Sequence, residues 1–170
     1  MIYRSFYYIS IMERKLKIYL DTSVINFLFS EQSPEKREIT LDFFENYISS
    51  YEVYISDFVI YEIENTTNEI KKAILISAIE KYKLTIYDKS NQDIIDLANI
   101  YITNNIIPQK KFDDALHIAF CTFYEFDILL SWNFKHLANI NKQEKVNRVN
   151  SSLGYRKQLL LLNPMEVVYE

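Results

Sequence analysis

Apolar and polar positions alternate with two different periods along this chain, and each change of period marks an element. The pattern predicts a strand over 15–20 that stops at Asp21, then a brief helix over 24–29. Ser33-Pro34-Glu35 is a helix start, with Ser as N-cap and Pro in the first turn, and predicts a helix to about residue 48. Val53 and Ile55 alternate with Tyr54, which predicts a second strand over 52–56. Helices follow over 58–65 and 68–81, then a third strand over 84–87. Ile94, Leu97, Ala98 and Tyr101 form one stripe of a helix over 91–103. Another helix begins near Phe112, and a wholly apolar fourth strand covers 127–130. A short helix is expected over 134–138, a polar loop over 139–152, and a fifth strand over 158–162 stopped by Asn163-Pro164.

Strands alternating with helices imply an α/β fold with a largely parallel sheet. Residues 1–14 read as an accessory N-terminal segment and residues 15–170 as one domain, with no internal repeat. The aromatic start lacks the long apolar core and small-residue cleavage site of a signal peptide, and no apolar run reaches the length of a membrane span.

Composition removes several kinds of chemistry. One cysteine, Cys121, excludes an internal disulfide framework and a multi-cysteine zinc site, and a reducing cytoplasm is the simplest home. Two histidines, His117 and His136, are too few for a multi-histidine zinc site. The single glycine, Gly154, excludes the glycine-rich loops that cradle nucleotide phosphates. Net charge is −4, so nothing attracts nucleic acid globally, and phosphate contacts would depend on local cations or metal.

Carboxylates carry the remaining signal. Asp113 and Asp114 open the segment Phe112-Asp113-Asp114-Ala115-Leu116-His117-Ile118-Ala119-Phe120-Cys121, which is apolar nearly all round and therefore buried. A buried carboxylate needs an ion, a metal or hydrogen bonds. One of the pair could cap the helix while the other binds metal, and His117 on the same face reads as a hydrogen-bonded core residue. Asp21 stands where a strand ends, the place where parallel sheets bind ligands, although a helix N-cap is an equal reading there. Glu62 shares a helix face with Phe58 and Val59 and should point inward, as a ligand or in an ordinary salt bridge, while Glu64 faces away and Asp57 reads as the N-cap. Ser131 and Asn133 follow the fourth strand as Asp21 follows the first, either to hold a metal or its water, or to form a turn and cap.

Taken in order, these segments resemble the PIN domain family of ribonucleases. The matching pieces are Leu20-Asp21-Thr22-Ser23-Val24, Val59-Ile60-Tyr61-Glu62-Ile63, Asp114-Ala115-Leu116-His117-Ile118-Ala119 and Leu130-Ser131-Trp132-Asn133-Phe134, with a final strand before Asn163-Pro164. The resemblance implies a PIN-like three-layer sandwich, with a central parallel five-stranded sheet in the order 3-2-1-4-5 flanked by helices. It implies hydrolysis of RNA phosphodiester bonds with Mg²⁺ or Mn²⁺ held by Asp21, Glu62 and Asp114. Hard divalent ions prefer such oxygen ligands. Thr22, Ser23, Asp113, Ser131 and Asn133 would support that set. Family members carry Asp at or near position 133, so Asn133 weakens the expectation of a second metal. A toxin role with a cognate antitoxin, and a homodimer, are further implications of the resemblance. The alternatives are a noncatalytic, degenerate PIN module that binds RNA or protein, and, more weakly, a metal phosphatase.

Overall fold

The computed structural model describes residues 14–87 and 91–168. The accessory segment expected at residues 1–14 therefore lies outside the described residues except for Arg14. Five strands form one parallel sheet: β1 (Lys17–Leu20), β2 (Glu52–Ser56), β3 (Thr85–Tyr87), β4 (Ile128–Leu130) and β5 (Leu160–Leu162). The order is β3-β2-β1-β4-β5, as the resemblance implied. The flanking helices are α1 (Thr22–Phe27), α2 (Pro34–Asp42), α3 (Asp57–Glu64), α4 (Glu69–Lys81), α5 (Gln92–Thr103), α6 (Phe112–Phe123), α7 (Ile140–Ser152) and α8 (Pro164–Val168).

Burial explains the central strands. Ile18, Tyr19 and Leu20 of β1 are fully buried, and all three residues of β4 are buried too. Strands covered on both faces read as continuous apolar runs. The apolar helix α6 fills the interior as its composition required, with seven buried residues from Ala115 to Thr122. Tyr101 of α5 closes a buried polar network with it. The Tyr101 hydroxyl donates to Asn150 Oδ1 at 2.6 Å, and Asn150 Nδ2 donates to Thr122 Oγ1 at 3.0 Å.

The same asparagine belongs to the largest departure from expectation. Residues 139–152 do not form a loop; 140–152 are helix α7, capped by Asn139, whose side chain accepts from Lys142 N at 3.1 Å. The inner face of α7 is Val146 with Asn147 and Asn150, so it shows no apolar stripe. Its buried amides bond to specific partners instead: Asn147 both donates to Leu159 O and accepts from Leu159 N, each at 2.9 Å. Gln143 Oε1 also accepts from Leu161 N at 2.8 Å, so α7 side chains fix the start of the edge strand β5.

Smaller corrections have local causes. No helix forms over 134–138; the chain makes a turn there, with Leu137 N and Ala138 N both donating to Asn133 O and His136 N donating to Asn133 Oδ1. The helix expected from Pro34 to about Ile48 keeps α geometry only to Asp42, then widens into a π-helical turn over Phe43–Tyr47 and tightens over Ile48–Ser50. Ser33 stands at its N-cap position without a side-chain cap bond. Ser56, not Asp57, is the N-cap residue of α3. The short α8, whose N-terminal Asn163 accepts from Met165 N, carried no periodic signal.

Candidate active site

Strand β1 has β2 on one side and β4 on the other, so its carboxyl end is where the sheet reverses direction of growth, the usual place for a ligand. Leu20 pairs with Leu130, and Asp21 N donates to Leu130 O at 3.2 Å. That register brings Asp21 beside Ser131. Ser131 Oγ donates to Asp21 Oδ2 at 2.7 Å, and Ser23 Oγ donates to Oδ1 at 2.5 Å. Val24 N also donates to Oδ1 at 3.3 Å, so Asp21 does cap α1 while remaining at the strand end. The two sequence readings of Asp21 are thus compatible. Each serine also ties the loops together: Trp132 N donates to Ser23 Oγ and Asn133 N to Ser131 Oγ, both at 2.9 Å.

Asn133 continues the chain of contacts. Its Nδ2 donates to Asp114 Oδ1 at 3.2 Å, while Asp114 Oδ2 is buried without a hydrogen-bond partner. Asp113 is exposed in the first turn of α6 and forms no capping bond; the cap position belongs to Lys111. An acid there still favours the positive helix end. Glu62 arrives from α3, half-buried, and accepts from the Thr22 hydroxyl and from His117 Nε2, the latter at 3.2 Å. Its inward direction matches the helix-face argument. His117 is buried and reaches the Tyr19 hydroxyl with Nδ1 at 2.6 Å; that hydroxyl also lies 2.8 Å from Ser56 Oγ. It is the hydrogen-bonded core histidine expected, but its partner is a candidate ligand. Tyr19 and Ser56 were not anticipated, and only their positions on β1 and at the end of β2 hint at the role.

The electrostatics follow from crowding. Burial pushes the Asp21 and Asp114 carboxyls up, against the attraction of His117 and their hydrogen bonds. Burial acts the same way on Glu62, but the His117 hydrogen bond and charge and the Thr22 hydroxyl outweigh it and hold Glu62 low. For His117 burial favours the neutral ring, yet Glu62, Asp21 and Asp114 together raise its pKa. A proton on His117 would supply part of the positive charge that this group of acids demands.

Among the described residues, no three His, Cys, Asp or Glu side chains stand close enough together to share a metal ion as placed. The donor chemistry nevertheless fits a hard divalent cation, and the unpartnered buried Asp114 Oδ2 is the oxygen with capacity for one. Lys111 attracts Asp114, and with Lys135, Lys142 and Lys110 it acts alongside burial to lower the His136 pKa. His136 Nδ1 is buried without a partner.

The chain is thus a parallel α/β domain with acids from the first strand end and from two helices arranged around its reversal point. The model of the PIN domain family matches residues 18–139, and the chain belongs to that family. PIN domains are generally nucleases. The match ends before α7 and β5, yet β5 completes the sheet by pairing Leu160–Leu162 with β4. A comparison with curated proteins finds no match. Among the described residues, no helix is long and apolar enough to cross a membrane.

Proposed function

We propose that this protein is a metal-dependent endoribonuclease in which Asp21, Glu62 and Asp114 hold Mg²⁺ or Mn²⁺. The observation that supports it best is the linked set of hydrogen bonds from Asp21 through Ser131 and Asn133 to Asp114, with that last carboxylate keeping one buried oxygen unpartnered. When bound, the ion would favour ionisation of a water at neutral pH and neutralise charge building on the phosphate. The protein groups orient the acids: Ser131 and Ser23 hold the two oxygens of Asp21, Asn133 turns Asp114, and Thr22 with His117 aims Glu62. Thr22 and His117 both bond Glu62 Oε2, which leaves Oε1 as the oxygen to turn toward an ion. Lys110, Lys111, Lys135 and Lys142 offer the local positive charge that a protein of net charge −4 needs to receive RNA. The purified protein is expected to cleave RNA with Mg²⁺ or Mn²⁺ and to stop with EDTA, and Asp21→Asn and Asp114→Asn should each abolish cleavage. Variants that cleave like wild type end this assignment.

By its family, the protein would act in the cytoplasm as the toxin of a toxin–antitoxin pair, inhibited by a cognate antitoxin and working as a homodimer. A small DNA-binding protein encoded by the adjacent gene, and neutralisation by it, test that role. The spacing of the acids and the amide at Asn133 favour one second reading, a noncatalytic PIN module that binds RNA or protein. Titration calorimetry with Mn²⁺ separates the two: absence of heat supports the second.

A further inference from the structure

A cavity of about 360 Å³ opens beside the acids, lined by Asp57, Phe58, Tyr61, Glu62, Asp113, Leu116 and His117. It lies between α3 and α6, and each helix supplies a lining residue immediately before a candidate ligand: Tyr61 before Glu62 and Asp113 before Asp114. Successive residues on a helix point about 100° apart. Asp113 therefore lines the cavity while Asp114 turns to Asn133, and Glu62 borders both the cavity and the acids' centre.

The lining excludes some occupants. Asp57, Glu62 and Asp113 disfavour a phosphate that no metal neutralises, so an uncharged base suits this cavity better than the RNA backbone. Phe58, Tyr61 and Leu116 form an apolar wall, and Tyr61 stands 66% exposed with its ring available for stacking. Single-stranded RNA is read by stacking splayed bases on aromatic rings and bonding their Watson–Crick edges. The volume is at the small end of the roughly 300–1,000 Å³ typical of ligand pockets, suited to one base.

Carboxylates accept hydrogen bonds and cannot donate them when ionised. Guanine alone carries two neighbouring N–H groups, N1–H and the N2 amine, on its Watson–Crick edge, matching a carboxylate with two parallel bonds. Uracil presents one N–H between two carbonyl oxygens, which a carboxylate repels. Adenine and cytosine each set an acceptor next to the amine. We propose that this cavity is a guanine subsite for the nucleotide adjoining the scissile phosphate, with Tyr61 as the stacking residue and Asp113 as the edge-reading acceptor. The subsite rests on the ribonuclease reading for its place in a reaction, but not for its binding chemistry.

Two measurements decide it. In EDTA, guanosine 5′-monophosphate should shift the NMR signals of α3 and α6 while uridine 5′-monophosphate does not, and Tyr61→Ala and Asp113→Asn should each remove the effect. Both side chains are exposed, so these variants should fold. With Mn²⁺ and RNA of randomised sequence, cleavage should be enriched beside G. Tyr61→Ala should lower kcat/KM at those sites at least about fivefold, from the loss of one stacked base. Tyr61→Phe should restore it, and Asp113→Asn should flatten the preference for G. Equal shifts by the two nucleotides, or none at millimolar concentration, overturn the subsite, as does a wild-type cleavage profile in both variants. Protein that binds the guanine nucleotide yet cleaves no RNA keeps the subsite and loses the ribonuclease reading. Protein that cleaves without base preference keeps the reading and loses the subsite.

Discussion

Replacing Asp114 by Asn should move stability in opposite directions without and with metal. Asp114 Oδ2 is buried with no partner, and burial already pushes this carboxyl's pKa up. A buried polar group left unsatisfied costs about 1–3 kcal/mol. The side chain is only partly buried and feels attraction from His117 and Lys111, so the low end applies. An amide keeps an oxygen to accept from Asn133 Nδ2 and leaves only a neutral group unpartnered. In EDTA the variant should therefore be more stable than wild type by about 0.5–1 kcal/mol, or roughly 1–4 °C in Tm for a chain of this size. With Mn²⁺ at 100 times its Kd, wild type should gain about 2.7 kcal/mol, roughly 5–11 °C, whereas the variant gains little. Thermal unfolding of both proteins in EDTA and across a Mn²⁺ series reads out both effects. A variant less stable than wild type in EDTA refutes the claim of an uncompensated carboxylate. Equal Mn²⁺ shifts refute its role as a ligand.

Other expectations concern the parts that position the site. Ser131→Ala removes the donor to Asp21 Oδ2 and the acceptor for Asn133 N, and should cost about 1–2 kcal/mol in denaturant melts while cutting metal-dependent cleavage by tenfold or more. Asn147→Ala deletes both bonds to Leu159 and should cost about 2–3 kcal/mol, with amide exchange rising first at β5; a loss below 0.5 kcal/mol would mean that α7 is not what holds that strand. Asp127, below the other end of the sheet, meets Arg14 and Lys157 at 2.8 Å each and accepts from Lys17 N at 2.8 Å. Burial alone would raise its pKa, but Lys157, Lys17 N and Arg14 win and lower it. A depressed folded-state pKa contributes stability above the unfolded value and loses it as pH falls through the folded one. Asp127→Asn should thus cost about 1–2 kcal/mol at pH 7, with the gap to wild type closing as pH drops below about 4; a gap independent of pH rejects the ion-pair account.

Periodicity was enough for the strands, while their order came from the family resemblance. Apolar runs in β1 and β4, the alternation in β2, and the all-round apolar α6 each state how much of an element is buried, and burial depends mainly on which residue types recur at which spacing. Carboxylates at a strand end or on an apolar helix stood out as groups that demand a partner, but their grouping as a ligand set came from the family resemblance. Helix α7 escaped because its buried face bonds through Asn147 and Asn150, and amides show no apolar period. The turn at residues 134–138 escaped because Asn133 closes it with its own side chain.

Pairing belongs to the tertiary structure. Whether Asp21 capped a helix or stood free at the strand end could not be resolved along the chain; in the fold it caps α1, and the β1–β4 register sets Ser131 against its other oxygen. The partner of Asp114 is Asn133, 19 residues away, and that of Glu62 is His117 on another helix, neither of which the chain order shows. The cavity between those helices has no linear signature, because Phe58 and Leu116 are apolar residues on apolar stripes until the two helices leave space between them. Sequence determined which groups needed compensation, since burial and charge are properties of residues in order. Only the fold decided which groups compensate one another, because hydrogen bonds and ion contacts act over a few ångströms between residues up to 113 positions apart.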